Sequence, residues 1–119
     1  MKLNRPATGL ALAAVALLPG LAACGPAPLS CTASVSNATP KDYSRVFVYV
    51  HSWANTGFNT TALYKTTNSV KLGVTNTLGN GIVYYNISTA TPGYRVNVVV
   101  RVAKNSQQAT CYTSFTPHL

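Results

Sequence analysis

The feature that most constrains the fold is a period-two alternation in the C-terminal third of the chain. Apolar side chains occupy every second position of this segment, namely Tyr94, Val96, Val98, Val100 and Val102. Because successive side chains of a β-strand point to opposite faces, this spacing predicts a strand with one face turned to a core. No segment after residue 23 shows a convincing apolar stripe at the 3.6-residue helical spacing. The chain is therefore predicted to be all-β.

Shorter segments with a similar strand-like pattern are also predicted to be strands, at 31–36, 45–51, 60–66, 70–74, 82–87 and 109–115. Residues that favour turns, such as the Thr91-Pro92-Gly93 segment, separate them. In segment 45–51 the valines take one face while Phe47 and Tyr49 take the other, which predicts a strand covered on both sides. About seven short strands in roughly 90 residues are typical of an antiparallel β-sandwich.

Two adjoining segments carry a family resemblance. Residues 76–85 place a glycine-containing turn before a strand, and residues 90–100 continue into a Gly-Tyr-x-Val-x-Val strand, followed by Cys-x-x-x-Phe at 111–115. Over residues 31–117 the chain resembles small exported Ig-like proteins of actinobacteria. The resemblance implies an Ig-like sandwich but no activity, because this fold hosts many functions. The immunoglobulin Cys…Trp…Cys spacing is absent, since Trp53 follows the second predicted strand and the cysteines are terminal.

The N-terminus has the layout of an export signal. Lys2 and Arg5 precede a continuous apolar run at 10–18, and Pro19-Gly20 and small residues follow it. The run is shorter than the roughly 20 apolar residues that a membrane-spanning helix needs. Residues 1–23 are therefore predicted to be a signal peptide.

Leu21-Ala22-Ala23-Cys24 closes this segment and resembles the lipobox of bacterial lipoproteins. The resemblance implies diacylglycerol attachment to Cys24, cleavage before it and N-acylation, which together anchor a protein stably in a membrane. It places the protein on the extracytoplasmic face of the cell membrane. The alternative is ordinary cleavage after Ala23, which would release a soluble secreted protein such as an inhibitor or effector. Residues 24–30 then form a short linker, about 20 Å when extended, and residues 31–119 the Ig-like domain.

The remaining cysteines form one predicted pair. With Cys24 lipidated, Cys31 and Cys111 are left, and export permits a disulfide between them. Each cysteine lies at a position of its predicted strand whose side chain faces inward, so the bond would join the first and last strands. It would close a loop of about 80 residues and stabilise the domain by roughly 4–5 kcal/mol in the chain-entropy model.

The charge balance is strongly basic. Without Lys2 and Arg5, the chain carries seven basic side chains against one acid, Asp42, for a formal charge of +6. Such a balance favours anionic partners, namely phospholipid headgroups, envelope polymers or an acidic protein, unless it serves solubility alone. Arg95 and Arg101 share the outward face of one predicted strand and are the candidate contacts. A nucleic-acid partner is not expected, because the chain has no basic run or stacking motif and is exported.

The sequence gives little support for catalysis or for metal binding. A single acid excludes paired-carboxylate catalysis, and the histidines are too scattered to predict a metal or cofactor. Asp42, His51 and a serine supply the residue types of a catalytic triad, but the sequence has no Gly-x-Ser-x-Gly nucleophile motif to support one. Gly79-Asn80-Gly81 lacks the lysine of a phosphate loop and predicts a hairpin turn. We therefore expect a protein that is not an enzyme.

Residues 51–58 hold the other candidate binding feature. This loop contains Trp53 and Phe58, and large aromatic side chains are common interface anchors. The competing and favoured interpretation is that both fold back to plug one end of the sandwich, because a small core needs the burial. The sequence thus predicts a membrane-anchored binding or structural module, and leaves its ligand and oligomeric state open.

Overall fold

A computed structural model of the protein describes residues 28–119. These residues form seven strands and, within that range, no helix. The strands are β1 Thr32–Val35, β2 Arg45–His51, β3 Gly57–Leu63, β4 Asn68–Val74, β5 Asn80–Asn86, β6 Val96–Lys104 and β7 Gln107–Phe115. The predicted signal peptide, Cys24 and most of the linker lie outside the described residues.

The strands build two antiparallel sheets, which confirms the predicted Ig-like sandwich. The smaller sheet has three strands in the order β1-β2-β5, and the larger has four in the order β4-β3-β6-β7. The immunoglobulin constant-type arrangement places its fourth strand in the sheet of the first two. Here β4 instead pairs with β3 in the larger sheet.

The valine alternation forms the core, as predicted. Seven valines of β2 and β6 are at most 2% exposed, namely Val46, Val48, Val50, Val96, Val98, Val100 and Val102. β2 is the central strand of the smaller sheet and β6 is an inner strand of the larger one. Branched side chains from the two inner faces therefore meet along the middle of the sandwich, where water is excluded.

Several predicted boundaries shift in the structure. β2 matches its predicted range, whereas β3 occupies 57–63 rather than 60–66 because the polar residues after Leu63 make the turn to β4. Tyr94 is 38% exposed and precedes β6, which begins at Val96. The Gly79-Asn80-Gly81 segment is not a hairpin turn, since β4 and β5 belong to different sheets. Nor is β2 covered on both sides, because Tyr49 on its outer face is 44% exposed.

β4 inverts the usual pattern of apolar residues inside and polar residues outside. Val70, Leu72 and Val74 are 57%, 77% and 69% exposed. The positions that face the other sheet are instead those of Ser69, Lys71 and Gly73. A Cβ added at Gly73 would overlap the ring of Phe58, so only glycine fits there. A one-residue slip would turn every side chain of the strand over and place Leu72 or Val74 opposite Phe58 instead of Gly73.

Both lateral sides of the sandwich are closed. On one side a disulfide joins Cys31, the residue before β1, to Cys111 of β7, with 5.8 Å between the Cα atoms. This confirms the predicted pairing of the first and last strands. On the other side the hydroxyls of Tyr85 and Thr60 lie 2.5 Å apart across the two sheets, and the Tyr85 hydroxyl donates to the Ser69 carbonyl of β4 at 3.3 Å.

Burial also changes the titration of two tyrosines, Tyr85 at this second closure and Tyr64 directly after β3. Desolvation raises the pKa of Tyr85, which is 1% exposed, and the hydrogen bond with Thr60 opposes that rise. Desolvation, together with the neighbouring Tyr85, raises the pKa of Tyr64 to about 12. The folded protein therefore holds these phenols in their neutral form at a pH where exposed phenols ionise.

We expect the disulfide to supply a large part of the stability. The double substitution Cys31→Ala/Cys111→Ala should lower the free energy of unfolding by roughly 4–5 kcal/mol, because the closed loop restricts the unfolded chain. Urea denaturation followed by tryptophan fluorescence measures this change. Reduction of the unsubstituted protein should give a similar loss, and an unchanged midpoint in both cases would contradict the expectation.

Stability should also fall at alkaline pH. Above about pH 10 the unfolded chain loses tyrosine protons at their ordinary pKa, whereas folded Tyr64 keeps its proton until about pH 12. The unfolded state then binds fewer protons, so the free energy of unfolding decreases through this window and is unaffected below it. Denaturation midpoints at about pH 9 and about pH 11.5 measure the slope. Tyr64→Phe should flatten it, whereas Tyr112→Phe, at an exposed position, should not.

Candidate functional site

The antiparallel strands give the sandwich two poles. The chain enters at the proximal pole, which consists of segments 28–31, 52–56, 75–79 and 105–106. The distal pole lies at the other ends of the strands and consists of segments 36–44, 64–67, 87–95 and 116–119, with Arg45 at the first position of β2. The strands between the poles have seven to nine residues, so the poles lie about 20 to 30 Å apart.

The aromatic loop 51–58 lies at the proximal pole. Phe58 is 5% exposed, and its ring lies against the backbone of Gly73 and Gly81, where an added Cβ would overlap it. Trp53 is half-buried and packs on the core. Most of the Phe58 ring is therefore inaccessible to a ligand.

Hydrogen bonds hold the backbone of this loop in place. The Thr75 hydroxyl donates to the Trp53 carbonyl at 2.5 Å and accepts from the Thr56 amide at 2.8 Å. The Lys104 ammonium donates to the Ala54 carbonyl at 3.1 Å. The loop is thus a fixed closure of the sandwich, and Lys104 is engaged in it.

The residues considered for a triad are not brought together. His51 ends β2 at the proximal side, where its Nδ1 lies 2.9 Å from Asn80 Oδ1. Asp42 lies at the distal pole, before the start of β2. The length of β2 separates them by about 20 Å.

The two arginines proposed as contacts are also apart. Arg95 precedes β6 at the distal pole, and its Nε donates to Ser114 Oγ at 3.3 Å. Arg101 lies on the outer face of the larger sheet, opposite Asn59 and Thr110. Six strand positions, about 20 Å, lie between them, so they form no single cluster.

The distal pole holds a concavity whose residues form no recognisable sequence motif. It measures about 620 Å³ and is lined by Tyr43, Ser44, Arg45, Phe47, Asn86 and Ser88. A second concavity of about 260 Å³ adjoins it, because Asn86 and Ser88 line both, and Lys65 lines the second. We call the two together the distal groove. No motif links residues 43–47, 64–67 and 86–91 in the chain; only the strand register brings them together.

Arg45 is held in place within the distal groove. Its guanidinium carbon lies 4.2 Å from the ring centroid of Tyr84, and its Nε donates to Asn86 Oδ1 at 3.4 Å. The Lys71 ammonium lies 5.8 Å from the same ring centroid. Stacking on an aromatic ring orients a guanidinium while leaving its other N–H groups available to a ligand.

The backbone of the distal groove contains two left-handed residues that are not glycine. Tyr43 has a φ of 65° and Ser88 a φ of 51°, and the Tyr43 amide donates to the Ser88 carbonyl at 3.1 Å. Such conformations cost on the order of 1–3 kcal/mol each and cluster at ligand-binding sites. Tyr43 is also 78% exposed, so its strained position holds an aromatic ring out in solvent.

Basic side chains concentrate at the distal pole. Of the seven cations in residues 28–119, four lie there, namely Lys41, Arg45, Lys65 and Arg95. The only acid in that range, Asp42, lies there too and is half-buried. The proximal pole carries only Lys104, at the end of β6.

Within residues 28–119, no three His, Cys, Asp or Glu side chains are grouped so that they could hold a metal ion. The same residues include no helix of the length and apolarity needed to cross a bilayer.

Comparisons with known proteins add a distant structural likeness. No family model and no curated protein matches the chain. Among solved structures, the chain is similar to BslA, a bacterial hydrophobin, with a TM-score of 0.44 and 12% identity over 80% of this chain and 99% of that one. A likeness of this degree bears on neither the ligand nor the function of the present chain.

The contact of Phe58 with its glycines can be tested by substitution. Gly81→Ala should lower the free energy of unfolding by roughly 1–3 kcal/mol, because its methyl group overpacks the ring. Combining it with Phe58→Leu should give a smaller loss than the sum of the two single losses. Gly57→Ala is the matched control, since an added Cβ there meets nothing within 4 Å. Strict additivity in a urea double-mutant cycle would show that the contact is absent.

Proposed function

We propose that this chain is a lipid-anchored binding module on the outer face of a bacterial membrane, without catalytic activity. The lipobox resemblance of Leu21-Ala22-Ala23-Cys24 supports the anchor. The observation that carries the binding role is the position of the distal groove, which lies at the pole opposite the point where the chain enters the sandwich.

The entering chain is docked against the proximal pole. Leu29 is 7% exposed, and its amide donates to Gln107 Oε1 at 2.9 Å. The Ser30 carbonyl accepts from the Ser52 hydroxyl at 2.6 Å. The chain from Cys24 to Leu29 spans at most about 18 Å. A lipid on Cys24 therefore keeps the proximal pole near the bilayer and directs the distal groove away from it.

Lipidation is tested at the mature N-terminus. Mass spectrometry of the protein from its own envelope should find Cys24 as the first residue, carrying acyl chains. Cys24→Ala should move the protein from the membrane fraction to the soluble fraction, because the anchor is lost. Ser30→Ala, which leaves the lipobox intact, should stay with the membrane.

The soluble secreted alternative makes the opposite prediction. Ordinary cleavage after Ala23 would leave an unmodified Cys24 thiol on protein free in the medium. That result would exclude the membrane-anchored module, and the protein would then act as a released inhibitor or effector.

A further inference from the structure

We propose that the distal groove binds a linear anionic envelope polymer that carries phosphate in its repeating unit. This inference rests on the proposed function, because it identifies the ligand class of that binding module. It replaces the two arginines suggested by the sequence with a site assembled from Arg45, Lys65 and their neighbours.

Charge supports an anionic ligand. Arg45 and Lys65 line the two parts of the distal groove, and Lys41 and Arg95 lie at the same pole. Asp42 is the only acidic side chain in residues 28–119, so the side chains at this pole sum to a formal charge of +3. The pole therefore keeps a positive potential that attracts and orients a polyanion.

The shape of the groove supports a chain-like ligand. Its two concavities adjoin at Asn86 and Ser88, with Arg45 on one side of this junction and Lys65 on the other. A single small anion would occupy one part and leave the second cation free. A polymer with regularly spaced charges can contact both parts at once, and the second contact then forms at a high effective concentration.

The donors in the groove support phosphate. Arg45 is oriented by the Tyr84 ring and the Asn86 amide, so its remaining N–H groups are available for the paired hydrogen bonds that guanidinium makes to phosphate oxygens. The lining also supplies the hydroxyl side chains of Thr66, Ser88, Thr89 and Thr91, beside the aromatic and aliphatic side chains of Tyr43, Phe47, Tyr64, Ile87 and Ala90. Hydroxyl groups complement the several acceptor oxygens of a phosphodiester.

Geometry favours a polymer over the headgroups of the anchoring bilayer. The strands that end at the distal groove, β2 and β5, have seven residues each and place it about 20 Å from the proximal pole. The segment from Cys24 to Leu29 spans at most about 18 Å. An inverted sandwich could place the groove on the bilayer only if this segment were almost fully extended along the strands. The geometry therefore favours a ligand on the side away from the membrane, and the vesicle probe tests a sandwich that lies on its side.

The test measures binding of the purified lipoprotein, held in neutral detergent, to poly(glycerol phosphate). Arg45→Gln and Lys65→Gln should each weaken binding roughly three- to fivefold, the usual effect of one cation at an anionic surface. Arg101→Gln is the matched control, because it removes the same charge from the outer face of the larger sheet. It should change affinity less than twofold, and thermal unfolding should confirm that all three variants remain folded.

Other probes decide the ligand class. Polyglutamate, which offers carboxylates at similar charge, should bind more weakly than the phosphate polymer, and so should phosphatidylglycerol vesicles. Equal losses in all three variants, equal affinity for polyglutamate, tighter binding to the vesicles or no binding of the phosphate polymer would each overturn the proposal. These results are independent of the mass of Cys24, so an unmodified thiol would refute the anchor while leaving the groove assignment standing.

Discussion

The packing of two valine rows is the interaction on which the rest of this structure depends. β2 and β6 bring their inward valines together in the middle of the sandwich, with essentially no exposed surface. The alternate positions of the same strands must then face outward, where they carry Tyr49, Arg101 and other polar or aromatic residues. Burial of these branched side chains thus decides which residues are available for binding, before any ligand is considered.

Contacts along both lateral edges also join the two sheets around this packed core. The disulfide of Cys31 and Cys111 closes one side, and the hydroxyls of Tyr85 and Thr60 close the other. Phe58 fills the space between the sheets that Gly73 and Gly81 leave open. The two sheets are therefore joined at the centre and along both sides. The aromatic loop serves this closure, so its prominence in the sequence reflects packing within the domain.

The two poles have opposite chemistry. The proximal pole receives the chain and carries one lysine, which is engaged with the backbone of the aromatic loop. The distal pole combines several cations with an exposed tyrosine, Tyr43, held in a left-handed conformation. A charge of +6 spread over the surface would offer little selectivity. Four of the seven cations lie at the distal pole, which gives this part of the charge a defined position beside the groove.

The sequence by itself determined the strand content, the all-β class and the cysteine pairing. Alternation is a local property, so Val96 to Val102 reveals a buried face without knowledge of any partner strand. The closing pair Cys31 and Cys111 followed from the lipobox resemblance, which assigns the third cysteine to lipidation, and from the inward positions of both residues in the terminal strands. The anchor at Cys24 stays a prediction from its motif.

Only the tertiary structure decided the inverted parity of β4 and the distal groove. The apolar alternation of Val70, Leu72 and Val74 resembles that of a core strand, but these side chains face outward, and Gly73 lies against the Phe58 ring on the inner face. Arg45 and Lys65 are far apart in the chain and share no motif. They become neighbours of Asn86 through strand register and the turns between strands, and register is set by long-range packing that no local pattern records.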